Sequence, residues 1–215
     1  MQVLKFGGTS VANAENIQKV AAIVKQITSK DKTIVVVSAL GGITDILIQS
    51  GELAASMNES YKEKLQVVEQ RHLDAVKSLL PVAQQSSLLS WVKKSCNEIE
   101  DICNGIFLLG ELSPRTKDRI VSYGELMSSH IISTYLNAAG ISNTWKDSRQ
   151  IIITDSNFGY AAVDFTITNK KINQYFSTAD SSLFIMPGFV SSNETGTTTT
   201  LGRGGSDYTA AILAA

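Results

Sequence analysis

Three glycine-rich turns and one isolated acid carry the side chains best suited to chemistry. The first turn, Lys5-Phe6-Gly7-Gly8-Thr9-Ser10, follows an apolar run from Val3 to Phe6 and precedes a helical pattern that begins near Ala14. Paired glycines let backbone N–H groups approach a ligand. A helix start just beyond them adds unpaired N–H groups and the positive end of a dipole, and Lys5 adds a full charge. These are the parts of a phosphate seat, although strand–glycine–helix turns also arise from packing alone. The spacing matches neither the P-loop nor the G-x-G-x-x-G fingerprint. A second turn runs from Ser38 through Gly41-Gly42 to Thr44 and Asp45. In the third, Gly202-Arg203-Gly204-Gly205-Ser206-Asp207, glycines clear space around a guanidinium whose forked donors suit a carboxylate or phosphate. Ser206 and Asp207 fall at a helix start, where an aspartate can equally be an N-terminal cap. Glu125 follows Gly124 inside a helical stretch, and its local pattern alone is that of a surface glutamate.

The elements around these residues read as α/β. Ile17, Val20, Ala21, Val24 and Ile27 recur at helical spacing, which predicts a helix over 14–29. Thr33 to Ser38 is a β-branched run suited to a strand buried on both faces of a parallel sheet. Strand, helix and strand make a right-handed βαβ unit, and its two glycine loops open on the carboxyl edge where such sheets bind ligands. Residues 45–110 read as a helical insertion beside the sheet, broken at Pro81 and restarted near Ser86-Ser87, with His72 on its apolar side as a core histidine. Ser113-Pro114 opens a long helix that ends at Gly140. Gly124 in its interior predicts a close backbone approach. Short strands are expected at 142–146 and 150–154, a turn at 155–159, a helix at 164–176 and a buried strand at 183–186. A third strand-ending turn at 187–190, a hairpin over 193–200 and a final helix from Tyr208 complete one domain.

Composition narrows the function. Nineteen basic against twenty acidic residues leave a net charge of -1, which argues against a nucleic-acid binder. No apolar run approaches the ~20 residues of a membrane span, and the N-terminus enters a strand with no signal-peptide pattern. Cys96 and Cys103 lie seven apart on one helix, about 10 Å along its axis and too far for a disulfide. Together with His72 and His130 they form no metal cluster, and they read as buried free thiols of a reducing cytoplasm.

The ordered series Lys5-Phe6-Gly7-Gly8-Thr9-Ser10-Val11, Ser38-Ala39-Leu40-Gly41-Gly42-Ile43-Thr44-Asp45, Ser122-Tyr123-Gly124-Glu125, Pro187-Gly188-Phe189 and Gly202-Arg203-Gly204-Gly205-Ser206-Asp207-Tyr208-Thr209 resembles the aspartokinases of the amino acid kinase family. The run Leu109-Gly110-Glu111-Leu112-Ser113-Pro114-Arg115 and the helical insert resemble most the bifunctional aspartokinase–homoserine dehydrogenases. The resemblance implies a three-layer α/β sandwich with a mainly parallel central sheet. It also implies transfer of a phosphoryl group from ATP, with Mg2+, to the side-chain carboxylate of L-aspartate. That reaction opens lysine, threonine and methionine biosynthesis in the cytoplasm. By the same resemblance, Lys5 would hold the transferring group, helped by Gly7, Gly8 and Ser10. Ser38 and Thr44 would line the aspartate pocket, Glu125 would meet the substrate ammonium and Arg203 its α-carboxylate. Ser206 and Asp207 would orient substrate and lysine. The family pattern continues into a nucleotide-binding segment, regulatory domains and, in bifunctional members, a dehydrogenase. Residues 1–215 are therefore expected to be the N-terminal part of a C-terminally truncated kinase domain, inactive alone and prone to pair with another copy along its sheet edge. A kinase acting on glutamate or acetylglutamate, or a non-catalytic aspartate-binding fragment, are the alternatives.

Overall fold

The computed structural model describes residues 1–27 and 32–215. Strand β1 (Gln2–Phe6) leads to α1 (Ala14–Ile27) and then to β2 (Thr33–Val37). The expected end of the first helix at Ser29 lies outside the described residues. β2 pairs in parallel with β1 on one side, and on the other with a later strand, Leu183–Pro187. All five β2 residues are buried, as its β-branched run requires of a central parallel strand.

Three helices follow β2: α2 (Ile43–Ala55), α3 (Tyr61–Leu79) and α4 (Ser86–Leu109). Cys96 and Cys103 are free and buried on α4, and burial pushes both thiols up to about 12, so they are inert as nucleophiles. His72 is fully buried with Nδ1 2.7 Å from the Val68 carbonyl oxygen, and burial lowers its pKa to about 4. Next comes α5 (Pro114–Ala138). Its cap Ser113 accepts from the Thr116 N–H.

The chain returns to the sheet through β3 (Thr144–Trp145), then passes β4 (Ile153–Thr154), α6 (Phe165–Thr178), β5 (Leu183–Pro187), β6 (Val190–Asn193), β7 (Thr198–Thr200) and α7 (Gly205–Ala214). The main sheet has the order β1-β2-β5-β3, parallel throughout. Side chains alternate between its faces. Val35, Val37 and Ile185 enter a core with α1 to α5, and Ile34, Val36, Phe184 and Met186 enter a second core with α6 and α7. Three layers result.

Two expected strands are shorter than their patterns. Gln150 ends a 3-10 turn over 148–150, and the strand expected from it starts only at Ile153, because the Asp147 carboxylate caps the Arg149 N–H and the Ile151 and Ile152 amides turn back onto the Ser148 carbonyl. β4 belongs to a separate sheet, β4-β6-β7. The hairpin in that sheet begins at Val190, three residues earlier than expected, and the 187–190 turn shrinks to Gly188-Phe189. Ser191 and Ser192 look like loop residues but are buried, with hydroxyls donating to Thr199 and to the Arg149 carbonyl. Among the described residues no helix is long and apolar enough to cross a membrane.

Candidate active site

The carboxyl ends of β1, β2 and β5 meet the N-termini of α2 and α7 around an open cavity of about 250 Å³. Alternation along β1 places Leu4 and Phe6 in the first core and Val3 in the second, so Lys5 projects with Val3 toward α7. Its Nζ stands 2.8 Å from Asp207 Oδ1 on the first turn of that helix. Asp207 therefore engages Lys5, and the cap position belongs to Gly204, whose φ of 77° is left-handed. Gly42 starts α2 in the same way, and neither helix has a side-chain cap. Their first-turn N–H groups border the cavity through Thr44, Gly205 and Ser206, which gives it two positive dipole ends. The start of α1 is different. Asn13 accepts from the Asn16 N–H, so the helix expected to serve the first loop is already capped.

Glu125 reaches the cavity from the middle of α5. A Cβ on Gly124 would lie 2.9 Å from the Ala39 Cβ, so this glycine lets α5 press against the end of β2, as its position in the helix predicts. Glu125 is 3% exposed. The Ser38 hydroxyl donates to its Oε1 at 3.5 Å, and its Oε2 has no partner. Burial drives its pKa up to about 8, against the smaller opposing effect of hydrogen bonds from the Ala39 and Glu125 N–H groups and the Ser38 hydroxyl. A carboxyl held neutral by desolvation, with one oxygen unmet, is a site prepared for a cation.

Arg203 stands at the mouth, exposed. Ser38, Thr44 and Ser206 supply hydroxyls to the walls, with Ser206 Oγ 3.5 Å from Ser38 Oγ. The cavity thus brings together Lys5, Ser38, Thr44, Glu125, Arg203, Ser206 and Asp207. Gly7 and Gly8 stand beside it: a Cβ on Gly7 would lie 3.3 Å from Lys5 Nζ, and one on Gly8 would lie 3.3 Å from the Ala39 carbonyl oxygen. Ser10 does not line it. The Ser10 N–H closes a turn onto the Gly7 carbonyl at 2.9 Å, and the residue is exposed.

Three further residues, none of them given a role by the sequence, shape this site. Phe189 lines the cavity with φ 65°, held by a bond from its N–H to Thr209 Oγ1. Such a backbone is strained for an aromatic residue. Arg71 on α3 donates to the Gly41 and Ala12 carbonyls at 2.7 and 3.2 Å and so ties the first two glycine loops together. Asp118 on α5 is 2% exposed. Its carboxylate accepts from the Gly159 and Thr200 N–H groups and the Thr200 hydroxyl at 2.9, 3.0 and 2.8 Å. Burial raises its pKa, and these bonds partly offset the rise. It joins the helix that carries Glu125 to the segment that leads into Arg203.

Comparison with known proteins gives a consistent picture. The profile of the amino acid kinase family matches residues 1–215. The bifunctional aspartokinase/homoserine dehydrogenase 1 of Arabidopsis thaliana is 33% identical over 99% of this chain and 23% of its own length. The lysine-sensitive aspartokinase 3 of Escherichia coli (strain K12) is 33% identical over 99% of this chain and 45% of its own. The crystal structure of E. coli aspartokinase III in complex with aspartate and ADP superposes with a TM-score of 0.90 at 32% identity, covering 100% of this chain and 46% of that one. The chain therefore spans less than half the length of these relatives. With its parallel sheet, its glycine loops and a family match along its whole length, the chain belongs to the amino acid kinase family.

Proposed function

We propose that residues 1–215 are the N-terminal part of an aspartokinase catalytic domain and that the cavity binds L-aspartate for phosphorylation of its side-chain carboxylate. The observation that carries this reading is the pairing of opposite needs at the two ends of one small cavity. Glu125 is buried with an unmet carboxylate oxygen. Arg203, at the mouth, joins no ion pair among the described residues. A free amino acid supplies an ammonium for the first and an α-carboxylate for the second. Its side-chain carboxylate then lies toward Lys5 and the start of α7, where positive charge gathers.

Phosphoryl transfer asks for positioning and charge neutralisation more than for a covalent catalyst. In this reading Lys5 neutralises the transferring group, Asp207 holds the lysine in place, and Gly7 and Gly8 leave room for backbone N–H contacts. Ser38, Thr44 and Ser206 orient the acceptor. Magnesium-bound ATP supplies the phosphoryl group. Its phosphate end fits Lys5 and the adjoining glycines. Among the described residues no group of three or more His, Cys, Asp or Glu gathers for a metal, so magnesium would be carried by the phosphates, as is usual for this hard cation.

Calorimetric titration with L-aspartate and N-acetyl-L-aspartate tests the reading. Binding of the first only, weakened about a hundredfold by Arg203→Ala or Glu125→Gln (roughly the loss of one charge-assisted contact), is the expected result. Equal binding of the acetylated compound, or full affinity in both folded variants, would overturn it.

A further inference from the structure

The molecule has a second cavity, larger than the one described above. A cleft of about 680 Å³ lies between α4, α5, the 148–150 turn and the tip of the β6–β7 hairpin, and shares no lining residue with the first. Lys94, Arg115, Arg119 and Arg149 line it, against a single carboxylate, Glu98. In a chain of net charge -1 this is a local excess of cations drawn from three separate elements. Glu98 is already engaged, accepting the Tyr123 hydroxyl at 2.6 Å. Arg115 and Arg119 are four apart on α5 and so share a helix face. Neither they nor Lys94 take part in an ion pair among the described residues. Arg149 is held by Asp147 at 2.7 Å and spends a further N–H on Thr198 Oγ1 at 3.3 Å. Its guanidinium is thereby fixed in direction before any ligand arrives. Threonine hydroxyls of the hairpin tip close the far side.

We propose that this cleft binds a compact polyanion of the condensed-phosphate class, with Arg115, Arg119 and Lys94 supplying the charge and Arg149, whose Nε and Nη2 are paired with Asp147, only its remaining N–H donors. The volume falls in the range of small-ligand sites and exceeds the needs of a single phosphate. Several guanidiniums on convergent elements match a ligand with several anionic oxygens. The proposal does not depend on what the first cavity binds.

The chain's two tryptophans, Trp91 and Trp145, both line this cleft, so intrinsic tryptophan emission reports on it alone. Titration with inorganic tripolyphosphate should give a saturable change in emission. Arg115→Gln/Arg119→Gln should weaken that binding by about tenfold or more, as expected for the loss of two charge-assisted contacts in a wet site. The same variant should leave the affinity of the first cavity for L-aspartate unchanged, which also shows that it is folded. A parallel titration with adenosine triphosphate separates a free polyphosphate from a nucleotide's phosphate tail, the tighter of the two naming the source. No saturable change, a change matched by sodium chloride at equal ionic strength, or an undiminished response in the folded double variant would overturn the assignment. Equal affinity for citrate would overturn its phosphate class.

Discussion

Binding of L-aspartate should release a proton. Glu125 is neutral at pH 7 in the free protein because burial holds its pKa at about 8, yet an ammonium is bound best by a carboxylate. Occupation of the pocket therefore ionises Glu125, and the cost falls on the binding equilibrium. Linkage sets the size: below pH 8 each unit of acidity weakens binding up to tenfold, and between pH 8 and pH 6 the affinity should fall about 50-fold. At pH 7 about 0.9 proton should leave per aspartate bound. Burial brings His72 down to about 4, so it stays neutral through this window, and burial also lowers His130.

The assay is calorimetry from pH 6 to 8.5 in two buffers of different protonation enthalpy, neither of them phosphate. The difference between the two apparent enthalpies gives the proton count directly. Glu125→Gln removes the titrating group, keeps the shape, and should leave weak binding that no longer varies with pH. A wild-type affinity that is flat across this range, with no proton released by a folded protein, would refute the reasoning. Glu125 would then be ionised before the ligand arrives, or would not meet its ammonium.

The same carboxyl makes a stability prediction. A pKa raised from 4.5 to about 8 means that relative stability is full below pH 4.5 and is lost as pH rises through 8. At pH 9 the loss is about 5 kcal/mol. Urea denaturation should therefore find Glu125→Gln similar to wild type at pH 4 and clearly more stable at pH 9. Gly124→Ala would gain about 1 kcal/mol in a free helix, but its Cβ would meet the Ala39 Cβ at 2.9 Å. Overpacking should make the net change a destabilisation of about 1–3 kcal/mol, and a variant more stable than wild type would disprove the close approach. Asp118→Ala strands the buried N–H and hydroxyl of Thr200 and releases the N–H of exposed Gly159. It should cost about 2–4 kcal/mol by thermal or urea unfolding and weaken aspartate binding in the protein that remains folded. Unchanged affinity would mean that Asp118 does not position Arg203.

What the sequence made legible follows from what each residue must do alone. β2 and β5 announce themselves because a strand buried on both faces has to be apolar at every position. Lys5, Arg203 and the glycines around them are visible because backbone turns and forked donors have a local signature. Glu125 is visible only through the resemblance, since nothing in its neighbours marks it as buried: its character comes from Ser38 and Ala39, more than eighty positions away. The same holds for Asp118, whose partners are Gly159 and Thr200, and for Arg71, which braces two loops from a helix with no motif. The start of β6 was missed because the buried hydroxyls of Ser191 and Ser192 do there what apolar side chains do in the main sheet, and a pattern of polar residues reads as a loop. The basic cleft is the extreme case. Each of its four cations is an ordinary surface residue in its own helix or turn. Only the crossing of α4 and α5 beside the β6–β7 hairpin turns them into a site, so its chemistry belongs to the fold and to no single stretch of the chain.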